Sequence, residues 1–248
     1  MMGMLSMVLL LISGCAAGPS EQEKELKISA ASSMRDAMKE IGELFEKETD
    51  FELVFNFGSS GTLAQQIHQG APVDVYISAN RRWMEDVEQD SLMKAPSIQT
   101  FATTRLVLAS SKAQQVEAEF SRLDILDKVS IGDPESVPAG AYAKEALIES
   151  GQWHKLEKKL VYAKNVRQVA AYIASGNVDA GIIYASDAVV LDDLNVIETI
   201  PETLHSPVEY VSGITASSKK DAAAKAFLEF LKKEKPKKIL ADYGFEVR

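Results

Sequence analysis

Short apolar runs alternate with amphipathic helical stretches along the chain from Leu26 onward. An apolar run of four to eight residues is typical of a buried strand, whereas apolar residues recurring every three or four positions indicate one face of a helix. The alternation therefore predicts an α/β fold with a mainly parallel sheet. The predicted strands are 26–31, 51–57, 73–78, 129–131, 160–163, 180–184, 196–200 and 208–211. The predicted helices are 34–47, 62–69, 80–87, 139–150, 166–175, 221–233 and 236–243.

The pattern stops at residues 101–110, a long β-prone run, and then restarts. We predict that the chain crosses from one lobe to the other within this run. The late strands 196–200 and 208–211 are predicted to bring the chain back to the first lobe. We therefore predict two α/β lobes joined by two crossovers. The predicted first lobe comprises residues 26–104 and 209–248, and the second comprises residues 105–208.

The charge balance limits the class of partner. The chain of 248 residues has 27 Lys and Arg against 36 Asp and Glu, a net charge of −9. Such acidity argues against nucleic acid as a partner, because nucleic-acid phosphates are bound by clustered basic residues. It also argues against docking on an anionic membrane through a basic face.

Three charged residues near the predicted junctions have simple structural explanations. Helix geometry predicts that Arg35 and Arg167 point to solvent. Asp187 is expected to cap a turn or steady the hinge.

The first fourteen residues have the character of a secretion signal. Residues 1–14 carry no charge and contain a short apolar run, too short to span a bilayer and suited to the apolar part of a signal peptide. The small pair Ser13-Gly14 directly before the single Cys15 resembles the lipobox of bacterial lipoproteins. We predict a signal peptide over 1–14, a lipid on Cys15 and a tether over 15–25; the alternative for Cys15 is a buried free thiol.

Small and helix-capping residues occupy four junctions between a predicted strand and the following helix: 31–33, 57–62, 132–140 and 164–166. The first N–H groups of a helix lack internal partners, and the helix dipole places positive charge there, so such an end attracts anions. The carboxyl ends of strands in open α/β sheets face the ligand crevice. Two junctions from each lobe could therefore converge on one anion between the lobes.

Each junction alone has a plainer explanation, since Ser is a good helix cap. The sequence has no P-loop lysine after Gly58-Ser59-Ser60-Gly61 and no Gly-x-Ser-x-Gly elbow. A serine hydrolase built on Ser60 or Ser33 would lack a histidine placed as base, because the three histidines are scattered and also lack metal-ligand spacing. A ferric-ion site would need several clustered tyrosines, and only Tyr184 lies at a junction.

Six segments resemble the molybdate-binding proteins, the substrate-binding components of ABC importers, and the resemblance covers residues 27–248. The resembling segments are 30–34 (AASSM), 56–67 (NFGSSGTLAQQI), 70–79 (GAPVDVYISA), 132–140 (GDPESVPAG), 181–188 (GIIYASDA) and 243–245 (YGF). The resemblance implies a type II periplasmic-binding-protein fold, with a ligand cleft between two lobes. It further implies a non-enzymatic monomer without cofactor that captures molybdate or tungstate and delivers it to an ABC permease and its ATPase, anchored by lipid outside the cytoplasm.

The resemblance also implies a ligand set. Its hydroxyl ligands carry over to Ser33, Ser60 and Tyr184, and its backbone N–H ligands to Ala139 and Val166. The chain departs from close relatives at two positions, where it has Ser32 and Gly61 instead of Ala and Ser. Ser32 and Ser59 therefore remain alternatives for the two ligand serines.

The chemistry of this set agrees with a tetrahedral dianion. Its hydroxyls and N–H groups can all donate, and unprotonated molybdate only accepts hydrogen bonds. Sulfate has the same character and stays an alternative ligand, whereas phosphate still carries a proton and would want a carboxylate acceptor. Pocket size must separate molybdate from sulfate.

Overall fold

The computed structural model describes residues 24–114 and 116–247, and the predicted signal peptide, Cys15 and nearly all of the predicted tether lie outside them. The described chain builds two sheets. The six-stranded sheet has the order β11-β4-β10-β3-β1-β2 and the five-stranded sheet the order β7-β6-β8-β5-β9. In chain order, the strands are β1 Glu25–Ala31, β2 Glu52–Gly58, β3 Val75–Ser78, β4 Gln99–Thr103, β5 Leu106–Ser111, β6 Val129–Gly132, β7 Leu160–Ala163, β8 Ala180–Tyr184, β9 Leu194–Thr199, β10 Glu209–Ile214 and β11 Glu246–Val247.

Nine α-helices lie in the described part of the chain, together with four short 3-10 turns that include Ser32–Met34. The α-helices are α1 Arg35–Glu48, α2 Ser60–His68, α3 Arg81–Gln89, α4 Pro138–Glu149, α5 Trp153–Leu156, α6 Val166–Ala174, α7 Ala185–Val189, α8 Asp221–Phe230 and α9 Glu234–Asp242. We call the body built on the six-stranded sheet lobe 1 and the body built on the five-stranded sheet lobe 2. The exact lobe boundaries stay a prediction.

The predicted helices and strands are present, with ends shifted by a few residues. The expectation of a mainly parallel sheet is wrong, because both sheets are mixed. In lobe 1, β1 runs parallel to β2 and β3, while β10 is antiparallel to β3 and β4. In lobe 2, β6 is parallel to β7 and β8, while β5 is antiparallel to β8 and β9.

The predicted single run at residues 101–110 is in fact two strands. The chain leaves lobe 1 after β4, passes Thr104 and Arg105, and enters lobe 2 as β5. The return path runs from β9 in lobe 2 to β10 in lobe 1. Strands that arrive from the other lobe enter their sheet against the direction of its βαβ units, which explains the antiparallel pairs.

Helix α1 shows how the sequence pattern positions the lobe 1 end of the site. Its residues Ala37, Met38, Ile41 and Phe45 are buried, as the predicted apolar face requires. Phe45 packs edge-on against Phe227 of α8, with ring centroids 5.4 Å apart. This packing fixes α1 against α8, and the turn Ser32–Met34 that precedes α1 follows directly on the carboxyl end of β1. No helix in residues 24–114 and 116–247 is long and apolar enough to cross a membrane.

Candidate functional site

A small cavity of about 10 Å³ lies between the two lobes, at the carboxyl ends of strands from both sheets. Drug-sized organic ligands occupy pockets of roughly 300–1,000 Å³, so this cavity is far too small for them and suits only a small ion. Its lining combines hydroxyl groups, small residues and the starts of helices. The lining residues are Ala31, Ser32, Ser33, Gly58, Ser59, Ser60, Ala79, Val137, Pro138, Ala139, Val166 and Tyr184.

The five residues of the predicted ligand set all line this one cavity. Ser33 lies in the 3-10 turn after β1, and Ser60 is the first residue of α2. Ala139 and Val166 lie in the first turns of α4 and α6, where backbone N–H groups have no acceptor within the helix. Tyr184 is the last residue of β8. The four junctions thus meet, two from each lobe.

The Tyr184 hydroxyl is a buried donor without a partner among the described residues. Its ring packs edge-on against Tyr210, with centroids 6.1 Å apart. Burial raises the pKa of Tyr184 well above its usual value, so the hydroxyl keeps its proton. A buried polar group without a hydrogen bond costs about 1–3 kcal/mol, and an anion in the cavity would remove that cost.

The Ser60 hydroxyl is oriented by the backbone of lobe 1. The N–H of Ala79 donates to Ser60 Oγ over 3.0 Å, and Tyr76 Oη donates to the Ser60 carbonyl over 2.8 Å. Because Ser60 Oγ already accepts a hydrogen bond from Ala79, its own proton is free to be donated to another acceptor. Ser60 is therefore prepared to donate toward the cavity.

Ser33 is held in a similar way by a tyrosine. Ser33 Oγ lies 2.8 Å from Tyr210 Oη, and both side chains are buried. Burial raises the pKa of Tyr210 above its usual range, so Tyr210 stays protonated and can donate to Ser33. The Ser33 proton then remains for a ligand. The neighbouring Ser32 also lines the cavity, and its hydroxyl makes no hydrogen bond to the described residues, so it stays the alternative ligand at this junction.

Local contacts at the junction before α2 explain the roles of Ser59 and Gly61. Ser59 is the N-cap of α2: its Oγ accepts the Thr62 N–H and lies 2.8 Å from Thr62 Oγ1. Gly61 faces lobe 2 instead of the cavity, and its N–H donates to the Ser136 carbonyl over 3.0 Å. A Cβ at Gly61 would lie 2.6 Å from that oxygen, so only glycine allows this approach.

No charged side chain of the described residues lines the cavity. Arg35 is exposed and lies over the Phe57 ring, as predicted. The expectation that Arg167 points to solvent is wrong: its side chain is 19% exposed and forms ion pairs with Asp36 and Asp187. The prediction failed because α6 turns this position toward lobe 1, an arrangement that helix periodicity alone does not reveal.

Asp187 is fully buried at the start of α7. Burial raises its pKa to about 7, and Arg167 pulls it back toward the ordinary value. Asp36, Tyr184 and Tyr210 also face this group. Since the folded pKa exceeds the unfolded value of 3.8, the folded protein binds the proton more tightly. The stability that this proton binding contributes is full below about pH 4 and is lost as the pH rises through about 7.

The arrangement is chemically a set of donors. Hydroxyls and helix-start N–H groups can bind a small oxyanion without a cationic side chain. The described residues contain no group of three or more His, Cys, Asp or Glu that could hold a metal ion. His68, the histidine nearest Ser60 in sequence, instead binds Asp86 and Asp90 at the surface.

A family model of bacterial extracellular solute-binding proteins matches residues 26–246. The chain belongs to this family. Within it the chain groups with the ModA proteins: the molybdate-binding protein ModA of Escherichia coli is 36% identical over 233 residues, covering 91% of this chain and 90% of that one. The putative ABC transporter substrate-binding lipoprotein YvgL of Bacillus subtilis is 37% identical over 95% of this chain and 93% of its own length.

Solved structures agree with this family. The periplasmic molybdate-binding protein of Azotobacter vinelandii has a TM-score of 0.82 and 25% identity, covering 90% of this chain and 99% of that one. The family membership confirms the predicted two-lobed fold and the prediction of a binding protein that is not an enzyme. It also confirms an extracytoplasmic location.

The residues that contact the cavity-lining residues without lining the cavity themselves were not predicted from the sequence. Tyr210 lies on β10, 177 residues after Ser33, and no local pattern links the two. The same is true of the Arg167 contacts with Asp36 and Asp187. One sequence signal could have pointed to such residues. A polar residue at a buried position of a predicted strand or helix is not accounted for by the apolar periodicity of that element.

Proposed function

We propose that this solute-binding protein captures molybdate or tungstate and delivers it to an ABC permease. The proposed ligand set is the hydroxyls of Ser33, Ser60 and Tyr184 with the backbone N–H groups of Ala139 and Val166. The observation that carries the proposal is the buried Tyr184 hydroxyl, which has no partner among the described residues and borders a small cavity lined by other donors.

The choice of anion follows from the donor set and the relatives. A cavity that only donates favours a fully ionised oxyanion over one that still carries a proton. Sulfate meets this condition as well, so the donor set alone does not favour molybdate. The preference for molybdate and tungstate is supported by the identity of 36% to a protein that is named as molybdate-binding.

The remaining parts of the proposal concern delivery. We propose a monomer whose Cys15 carries a lipid at the outer face of the cell membrane, consistent with a relative named as a lipoprotein. Its lobes, residues 26–104 with 209–248 and residues 105–208, would close on the anion by a hinge motion at the two crossovers. An ABC permease with its ATPase would then receive the anion. Mass spectrometry of the mature N-terminus tests the lipid, and an unmodified Cys15 would reject it.

The test of the ligand is thermal unfolding with molybdate, tungstate, sulfate and phosphate. An anion at about 100 times its dissociation constant stabilises the protein by about 2.7 kcal/mol, which corresponds to a rise of about 5–10 °C in Tm for a chain of this size. We expect this rise with molybdate and tungstate. Ser60→Ala should reduce it, and the exposed Ser217→Ala should leave it unchanged. A rise with sulfate alone would reject the proposed ligand.

A further inference from the structure

We propose that Arg167 is a positioning residue that holds the two lobes together around the bound anion, through an ion pair that forms when the lobes close. Arg167 belongs to lobe 2, and its partner across the cleft is Asp36 of lobe 1. This inference rests on the proposed function, because closure around a ligand gives the pair its role.

The geometry shows one guanidinium joined to both lobes. Arg167 Nη2 lies 2.6 Å from Asp36 Oδ2 and donates to the Ser33 carbonyl over 3.4 Å. On the other side, Arg167 Nε lies 2.8 Å from Asp187 Oδ1 within lobe 2, an ion pair whose atoms are not aligned as a hydrogen bond. The planar fork of arginine lets one side chain hold carboxylates on two sides.

The two ion pairs differ in how easily they can part. Asp187 is 0% exposed, so losing Arg167 would leave an uncompensated buried group, and this pair should persist when the lobes move. Asp36 is 37% exposed at the start of α1, and water can solvate it once the lobes separate. Opening therefore breaks the pair with Asp36 and preserves the pair with Asp187.

The residues of the two ion pairs are also close in sequence to the proposed ligand residues. Arg167 directly follows Val166, Asp36 lies three residues after Ser33, and Asp187 lies three residues after Tyr184. Two of the four junctions, 31–33 and 164–166, and the end of β8 at Tyr184 must therefore converge before the guanidinium can reach both carboxylates. An interaction that forms only in the closed state raises the fraction of binding-competent protein and so lowers the apparent dissociation constant.

The clean test is Asp36→Asn, which weakens the pair across the cleft and leaves Arg167 with Asp187. Binding and release of molybdate are followed by tryptophan fluorescence, because Trp83 lies beside Gly61 at another contact between the lobes. We expect the affinity to fall about three- to tenfold, mainly through faster release, while the Tm of the free protein is unchanged. Asp50→Asn, the same change at an exposed position beyond the end of α1, is the matched control.

The dependence of the release rate on ionic strength distinguishes an ion pair across the cleft from a purely structural role of Asp36. Release from the wild-type chain should accelerate as ionic strength rises, and release from Asp36→Asn should accelerate less. Unchanged affinity and release in Asp36→Asn would overturn the inference, as would an equal loss of Tm with and without molybdate. If the wild-type chain bound neither molybdate nor tungstate, the proposed function would fail first and the inference with it.

Discussion

Replacing Tyr184 by Phe removes one hydroxyl from the cavity and leaves the ring in place. The hydroxyl is buried and has no hydrogen-bond partner in the described residues. In the proposed complex it donates to a charged oxygen, and such a bond contributes about 1.5–3 kcal/mol. At about 1.4 kcal/mol for each factor of ten, the dissociation constant for molybdate should rise by roughly 10- to 150-fold.

The free protein should respond in the opposite direction. Because the unliganded hydroxyl gains nothing from burial, its removal should leave the free energy of unfolding unchanged or raise it slightly. Isothermal titration calorimetry measures the affinity, and thermal unfolding without ligand measures the stability. The control is Tyr162→Phe, which removes a hydroxyl from a side chain that is 47% exposed on β7.

The combination of weaker binding and preserved stability is what the site geometry requires. Wild-type affinity in Tyr184→Phe would show that the hydroxyl does not touch the anion. A loss of stability in the free protein, matching the loss of affinity, would show that Tyr184 acts through packing. Either result would refute the assignment of this tyrosine as a ligand.

Four further substitutions test other parts of the site. Gly61→Ala places a Cβ 2.6 Å from the Ser136 carbonyl oxygen of lobe 2 and 2.7 Å from the Trp83 ring of lobe 1, so molybdate affinity should fall at least several-fold and the Tm of the free protein should fall as well. Ser33→Ala should weaken binding about tenfold or more and Ser32→Ala little, as calorimetry can measure; the reverse order would make Ser32 the ligand. Asp187→Asn should flatten the fall in stability between about pH 4 and pH 7 relative to wild type, and parallel pH profiles from denaturant unfolding would contradict the raised pKa.

The sequence was sufficient to predict the parts of the site that depend on local rules. A helix that follows a buried strand starts at the strand's carboxyl end, so Ser60, Ala139 and Val166 could be placed at one edge of their sheets. The choice among neighbouring serines came from a resemblance to a known family. Packing around Ser59 then explains that residue as the cap of α2.

What the sequence could not predict depends on how the two lobes meet. The burial of Arg167 follows from the approach of α6 to the start of α1, and no periodicity within α6 encodes that approach. The division of residues 101–110 into β4 and β5 was missed for a related reason, since both halves are β-prone and only the change of sheet separates them. Contacts between distant segments decided these features.

The position of the bound anion tests the central claim most directly. In a crystal grown with tungstate, anomalous scattering of the metal would locate the anion without a prior choice of site. We predict one strong peak in the cavity between the lobes, with oxygens about 2.5–3.2 Å from Ser60 Oγ, Tyr184 Oη and the backbone nitrogens of Ala139 and Val166. A cavity without an anomalous peak, or one filled by sulfate in the presence of tungstate, would contradict the account.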